Sequence, residues 1–248
     1  MSSRFFQASS TLFSLYDIMN KTILALDTAT EACSVALLHQ GKTTFIDELS
    51  PRTHTQRILP MVDELLTQAG ISVQQIDVLA FGRGPGSFTG VRVGVGIAQG
   101  LALGAELPVV PVSNLLTMAE EAYQTLNANS VIALIDARMN EVYFAQFERT
   151  EQGWQTQVAE QVCSPEKAIA QMQLIENTVV VGTGWAAYPQ FEQANLAVKV
   201  TEITLPSAKY MLSLAIEKVV QGKVQSAFDI EPVYLRNEVT WQKLPHKL

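Results

Sequence analysis

Two acidic residues end short apolar runs, and their neighbours are suited to phosphate chemistry. Asp27 closes TILALD and is followed by Thr28 and Thr30; Asp136 closes VIALID and is followed by Arg138. An acid at the carboxyl end of a buried strand is placed to hold a metal–nucleotide complex, because ligands favour that end of such sheets. The stretch 82–104, GRGPGSFTGVRVGVGIAQGLALG, reads as a strand end, a glycine-rich loop and a helix. Free amides at such a helix start favour a phosphate or carboxylate. Gly84, Gly86, Ser87 and Thr89 would line that start, with Arg83 and Arg92 assisting. Asp27, Thr28, Asp136 and Arg138 complete the candidate nucleotide or anion site. The only cofactor it suggests is weakly held ATP or ADP in a cleft, and none is required. From the residues alone a plainer reading weighs as much. The glycines make a tight turn with close helix packing, Asp27 caps a strand end, and Asp136–Arg138 is a surface ion pair of little energetic worth.

Other chemistries lack their residues. The glycine loop has no Gly-Lys-Ser/Thr, and neither Gly82-x-Gly84 nor Gly94-x-Gly96 is followed by a third glycine at GxGxxG spacing. The three histidines, His39, His54 and His246, form neither HExxH nor HxxxH, so no metal site is expected. His54 precedes a helix and reads as a capping residue. Gly86-Ser87-Phe88 is not a GxSxG elbow, and no Ser/His/Asp set assembles. The two cysteines, Cys33 and Cys163, stand far apart outside any CxxC, which fits free thiols in a reducing compartment. Trp154, Trp185 and Trp241 are too scattered for a base-stacking platform.

Two helices must carry whatever these residues do. Residues 51–70 hold an apolar stripe of Ile58, Val62, Leu65 and Ala69, flanked by Leu59 and Leu66, with Pro60 as a kink or first-turn marker. The helix from about Thr89 to Gly104 has two rows of small residues at four-residue spacing: Gly90, Gly94, Ala98, Ala102 and Gly96, Gly100, Gly104. Each interior glycine costs roughly 1 kcal/mol relative to alanine, so a backbone is expected to approach closely on both sides. One side suits the protein's own sheet; the other suits the neighbouring helix or a helix of another chain. A helical dimer surface is one expectation.

The chain has 248 residues, 48% hydrophobic and 17% charged, enough apolar material for one large domain or two small lobes. Its net charge of −7 argues against an independent grip on a nucleic-acid backbone. No apolar run is long enough to span a membrane, and a cytoplasmic location is expected. Residues 1–18 imitate a signal peptide only weakly, because Asp17 interrupts them and no small-residue cleavage site follows. They read as a disordered extension ahead of a natural start at Met19. The remainder falls into halves, lobe one at 19–112 and lobe two at 113–248. Apolar strands end at Asp27 and at Asp136, and later strands run into Gly82-Arg83-Gly84 and Gly182-Thr183-Gly184. The final helix, 206–220, is expected to pack back towards lobe one. A duplicated βββαβα unit predicts an α/β, two-lobed, actin-like (ASKHA) fold with a cleft between the lobes.

With the stretch 82–104, five further segments carry a family resemblance: LALDTATEACSVAL at 24–37, HTQRILPMVDELL at 54–66, LPVVPVSNLLTMA at 107–119, LIDARMNEVYFAQF at 134–147 and PVYLRNEV at 232–239. The chain closely resembles the TsaB family of bacterial threonylcarbamoyladenosine biosynthesis proteins, within the glycoprotease-like group. The match begins near residue 21 and runs almost to the C-terminus.

The resemblance implies the actin-like fold and a role in tRNA modification. Family members dock onto a related catalytic subunit, TsaD, and work with the ATPase TsaE to place a threonylcarbamoyl group on the adenosine beside the anticodon. The implied role is a non-catalytic structural and activating subunit. It would bind TsaD directly, meet tRNA only through the complex and pair with itself when alone. Carried onto this sequence, the docking helices match 54–69 and 89–104. The expected partner or dimer face is Ile58, Met61, Val62 and Leu65 on the first. On the second it is Gly90, Val93, Gly94, Ile97, Gly100, Leu101 and Gly104. TsaD-like proteins hold a metal with an HxxxH pair; here His54 is followed by Ile58 at the second histidine's place. Two alternatives remain: a nucleotide-binding ATPase or kinase-like enzyme built on Asp27 and Asp136, and a glycoprotease-like peptidase.

Overall fold

The computed structural model describes residues 21–236. The extension 1–18, Met19, Trp241, His246 and the end of the 232–239 motif lie outside the described residues.

Ten strands form two five-stranded sheets of the same design. In the first, β1 (Ile23–Asp27), β2 (Ala32–His39), β3 (Lys42–Leu49), β4 (Val78–Gly82) and β5 (Val109–Val112) lie in the order β3-β2-β1-β4-β5. In the second, β6 (Ser130–Asp136), β7 (Val142–Thr150), β8 (Gly153–Cys163), β9 (Val179–Val181) and β10 (Lys199–Val200) lie in the order β10-β9-β6-β7-β8. In both, the first strand pairs antiparallel with the second and parallel with the fourth. The duplication expected from the two strand-end acids is thus present strand for strand, and the fold is the two-lobed actin-like one. Every residue of β1 and of β4 is buried, as a central strand covered on both faces requires.

The helices form layers around these sheets. Helix α1 (His54–Ala69) and α2 (Phe88–Gly104) cover one face of the first sheet, where Ile58, Met61, Leu65 and Ala98 meet Leu24, Leu26, Leu79 and Phe81. Helix α3 (Asn114–Leu126) covers the second sheet through Leu115, Met118 and Ala122. The short helices α4 (Pro165–Gln171), α5 (Gly184–Ala187) and α6 (Pro189–Gln193) lie on that sheet's far face. Helix α7 (Ala208–Val220) returns to the first sheet, where Met211, Leu212 and Ala215 pack on Ile23, Ala25 and Ala80. It also lies against α3, and Leu116 and Trp154 pack into both neighbouring cores. Glu120, almost wholly buried, accepts hydrogen bonds from Trp154 Nε1 (2.7 Å) and Ser213 Oγ (2.8 Å), tying α3, β8 and α7 together.

Local signals explain the boundaries. Ser113 and Ser164 cap their helices by accepting from Leu116 N and Lys167 N, and Pro165 takes the first turn of α4. Helix α1 starts at His54 rather than Pro51, and Pro60 lies inside it. No side chain caps it, so the capping role expected of His54 is not made; its Nε2 is buried without a hydrogen-bond partner.

Candidate functional site

The glycine-rich loop is closed by its own chain. Asp27, 1% exposed at the end of β1, accepts through Oδ1 from Asn114 Nδ2 at 2.7 Å. The Asn114 side-chain Oδ1 accepts from Gly84 N at 2.8 Å. Gly82 must lack a side chain, because a Cβ there would stand 1.9 Å from Asp27 Oδ1. A Cβ on Gly86 would meet the Ala29 carbonyl at 2.2 Å, and Ser87 N donates to that carbonyl at 2.7 Å. The β1–β2 turn therefore lies against Gly86 and takes up the Ser87 amide.

Burial raises the Asp27 pKa from the usual 3.8 to about 7, against the opposing help of the Asn114 side chain and the Thr28 and Ala29 amides. No well-formed hydrogen bond reaches Oδ2. A Mg–nucleotide needs an ionised, open carboxylate. This one is sealed beneath Asn114 and Gly82, so these residues do not fit such a group. Thr28 is also sealed, its hydroxyl donating to the Gly90 carbonyl at 2.7 Å. Ser87 caps α2 by accepting from Gly90 N, and exposed Thr89 does not cap. Arg92 stacks its guanidinium 3.6 Å from the Phe88 ring centroid and donates from Nε to the Tyr234 hydroxyl at 2.7 Å. Its expected help to an anion is thus replaced by contacts with the chain's own C-terminal segment. Asp136 accepts from Tyr188 Oη at 2.7 Å and from Arg138 N at 2.8 Å, and pairs with the Arg138 guanidinium at 2.8 Å. The two strand-end acids hold equivalent sheet positions but serve different local networks.

The partner face needs correction in part. Ile58, Met61, Val62 and Leu65 are 0–4% exposed in the core beneath α1, as an amphipathic helix on a sheet demands. Gly90 and Gly94 also face inward: a Cβ would lie 2.2 Å from the Thr28 carbonyl and 2.7 Å from the Thr28 hydroxyl respectively. Gly90→Ala should accordingly destabilise the chain by about 1–3 kcal/mol through overpacking against backbone. Chemical denaturation checks this, and an unchanged midpoint would refute the contact. Val93, Ile97 and Leu101 are half-buried along the flank of α2.

The outer row differs. Among the described residues nothing lies within 4 Å of a Cβ built on Gly96, Gly100 or Gly104. Leu103 (43% exposed) adjoins this row on α2, and Leu59 (47% exposed) is the exposed large apolar residue of α1. Sequence reasoning placed Leu59 beside the stripe and passed over Leu103. The usable signal was their position opposite the core-facing residues.

Comparison with known proteins decides the family. The family model described as TsaD, tRNA N6-adenosine threonylcarbamoyltransferase, matches residues 34–243. The tRNA threonylcarbamoyladenosine biosynthesis protein TsaB of Haemophilus influenzae is 58% identical over 236 residues, spanning 92% of this chain and 99% of that one. The chain belongs to the TsaB family. The Escherichia coli TsaB is 53% identical over 228 residues, spanning 91% of this chain and 99% of its own. A solved structure titled YeaZ from Pseudomonas aeruginosa superposes with a TM-score of 0.79 at 41% identity, covering 87% of this chain and all of that one.

Proposed function

We propose that this protein serves tRNA threonylcarbamoyladenosine biosynthesis as a non-catalytic subunit. It docks a TsaD-type catalytic subunit on the outer faces of α1 and α2 and acts with a TsaE-type ATPase. The names of its relatives support the pathway. The observation that carries the docking role is the open row Gly96–Gly100–Gly104. Three glycines inside a helix cost about 1 kcal/mol each, and among the described residues nothing occupies the space they leave.

Several features support a non-catalytic role. Asp27 is sealed, the loop glycines are occupied by the chain's own backbone, and Ile58 stands buried where an HxxxH pair would place its second histidine. Among the described residues no three His, Cys, Asp or Glu side chains cluster to hold a metal ion. Catalysis then belongs to the partner, and this chain contributes shape. The open row lets a partner helix approach the α2 backbone closely, while exposed Leu103 on α2 and Leu59 on α1 offer apolar area.

Sizing of the purified chain with a TsaD-type subunit tests the docking. Co-elution at micromolar concentration is expected, and separate elution would refute the role. The net charge of −7 further implies that the chain alone has negligible tRNA affinity. A filter-binding titration at low salt should show no sub-micromolar, salt-sensitive complex; finding one would contradict delivery of tRNA by the partner.

A further inference from the structure

The described chain ends in a segment that crosses from lobe one to lobe two at the carboxyl ends of both sheets. We infer that residues 230–236 form an interlobe strap that couples the glycine loop of lobe one to the β6–β7 hairpin of lobe two.

The strap is anchored first in lobe one. Ile230 is buried in the core beneath α2. Val233 N donates to the Arg83 carbonyl at 3.0 Å. Gly84 has φ +97°, and a Cβ there would stand 3.2 Å from the Val233 carbonyl. This glycine, which as a sequence suggested a phosphate loop, instead admits the strap. Tyr234 then packs on Phe88 with ring centroids 5.6 Å apart, and its hydroxyl accepts from Arg92.

The far end grips lobe two. Arg236 donates to the Ala137 carbonyl at 3.2 Å and pairs with the Glu141 carboxylate. These groups form the base of the hairpin, where Ala137 N donates to the Glu141 carbonyl at 3.0 Å. Between them Arg138, Met139 and Asn140 all have positive φ, at 61°, 57° and 59°. L-residues disfavour three such conformations in succession, so this turn depends on what holds its base. Arg236 ties off that base through a charge-assisted contact that is only partly exposed. Arg83 of the glycine loop also reaches lobe two directly, through a partly buried bidentate pair with Glu160 of β8 at 2.9 and 3.0 Å; Glu31–Arg138 is longer at 3.8 Å and well exposed, and a pair of that kind contributes little.

A single strap differs from two independent anchors in one respect: loosening either end loosens both. The test is amide hydrogen exchange, read by peptide mass spectrometry on the full chain. Arg236→Ala removes contacts in lobe two only, yet exchange should speed up at 83–87 in lobe one as well as at 137–141. Tyr234→Ala removes contacts in lobe one only, yet exchange should speed up at 137–141. The expected change is roughly tenfold at the distant end, with the central strands β1 and β6 unchanged, as befits local rather than global opening. If each variant affects only its own end, the strap does not couple the lobes and the inference fails. If either alanine variant raises exchange evenly over both sheets, the milder Arg236→Lys and Tyr234→Phe repeat the comparison, and absence of cross-lobe change in them refutes it.

Discussion

Gly96→Ala and Gly100→Ala should each stabilise the isolated chain by about 1 kcal/mol, because alanine is the better helix former and the added methyl meets nothing within 4 Å. For a chain of this size each gain corresponds to a rise of about 2–4 °C in the unfolding midpoint. Gly100→Leu should leave the isolated chain folded but weaken assembly with the catalytic partner. Overpacking a tight contact costs about 1–3 kcal/mol, a loss of roughly 5- to 150-fold in affinity. Opposite signs in the two measurements would show that the open row serves assembly rather than folding. A Gly100→Leu chain that binds the partner as tightly as the native one would place the interface elsewhere. Gly90 and Gly94 provide the internal control. They belong to the other row of the same helix, and there the space is filled by Thr28.

The second large effect concerns Asp27. Its pKa is 3.8 ordinarily and about 7 when folded, so between these values the native state holds a proton that the unfolded state has released. Stability conferred by the neutral acid is fully present below pH 4 and falls as pH rises to 7, the direction required when the native state binds more protons. The loss is on the order of 4 kcal/mol at pH 8, from about three units at 1.36 kcal/mol each. Glu121, also raised to about 7 by burial, adds to the slope in the same direction. Asp27→Asn keeps an oxygen to accept from Asn114 but cannot ionise. It should stabilise the protein at pH 8 by about 1–3 kcal/mol, less than the full loss because its amide gains no acceptor. Between pH 4 and 8 its stability profile should be flatter than the native one. Denaturant midpoints across that range read the effect. If Asp27→Asn destabilises at pH 8, the acid is ionised and paired in the native state, and the account of a sealed carboxyl is wrong. Partner assembly should not change, since Asp27 lies beneath the loop and away from the outer faces of α1 and α2.

Much of the scaffold was legible because few physical demands compete in it. TILALD and VIALID are uninterrupted apolar runs, and only a strand buried on both faces uses such runs at that length. Both proved to be first, central strands of matching sheets. The serines ahead of α3 and α4 announced their starts through the amides they cap. The short helices 184–187 and 189–193 carry too few residues to show a period, and they were missed for that reason.

The site was harder to read because two surfaces compete for one residue type. The stripe Ile58–Val62–Leu65 was expected to face a partner, but an apolar stripe looks the same whether it meets a sheet or another protein. Here the sheet takes it. The two glycine rows of α2 were equally indistinguishable, and only the position of Thr28 on one side separates packing from vacancy. The loop glycines misled in a related way. Gly84 and Gly86 were read as a candidate anion loop, but they admit backbone, that of residues 233 and 29. The identity of the approaching group depends on segments distant in sequence.

The most direct measurement of the central claim is a reconstituted threonylcarbamoyl-transfer assay on unmodified tRNA, with TsaD-type and TsaE-type subunits present and this chain added or withheld. Product should appear only when the chain is added, should persist with Asp27→Asn and should fall sharply with Gly100→Leu. Product formed equally without the chain, or lost with Asp27→Asn while assembly and folding are intact, would contradict a docking subunit that contributes no chemistry of its own.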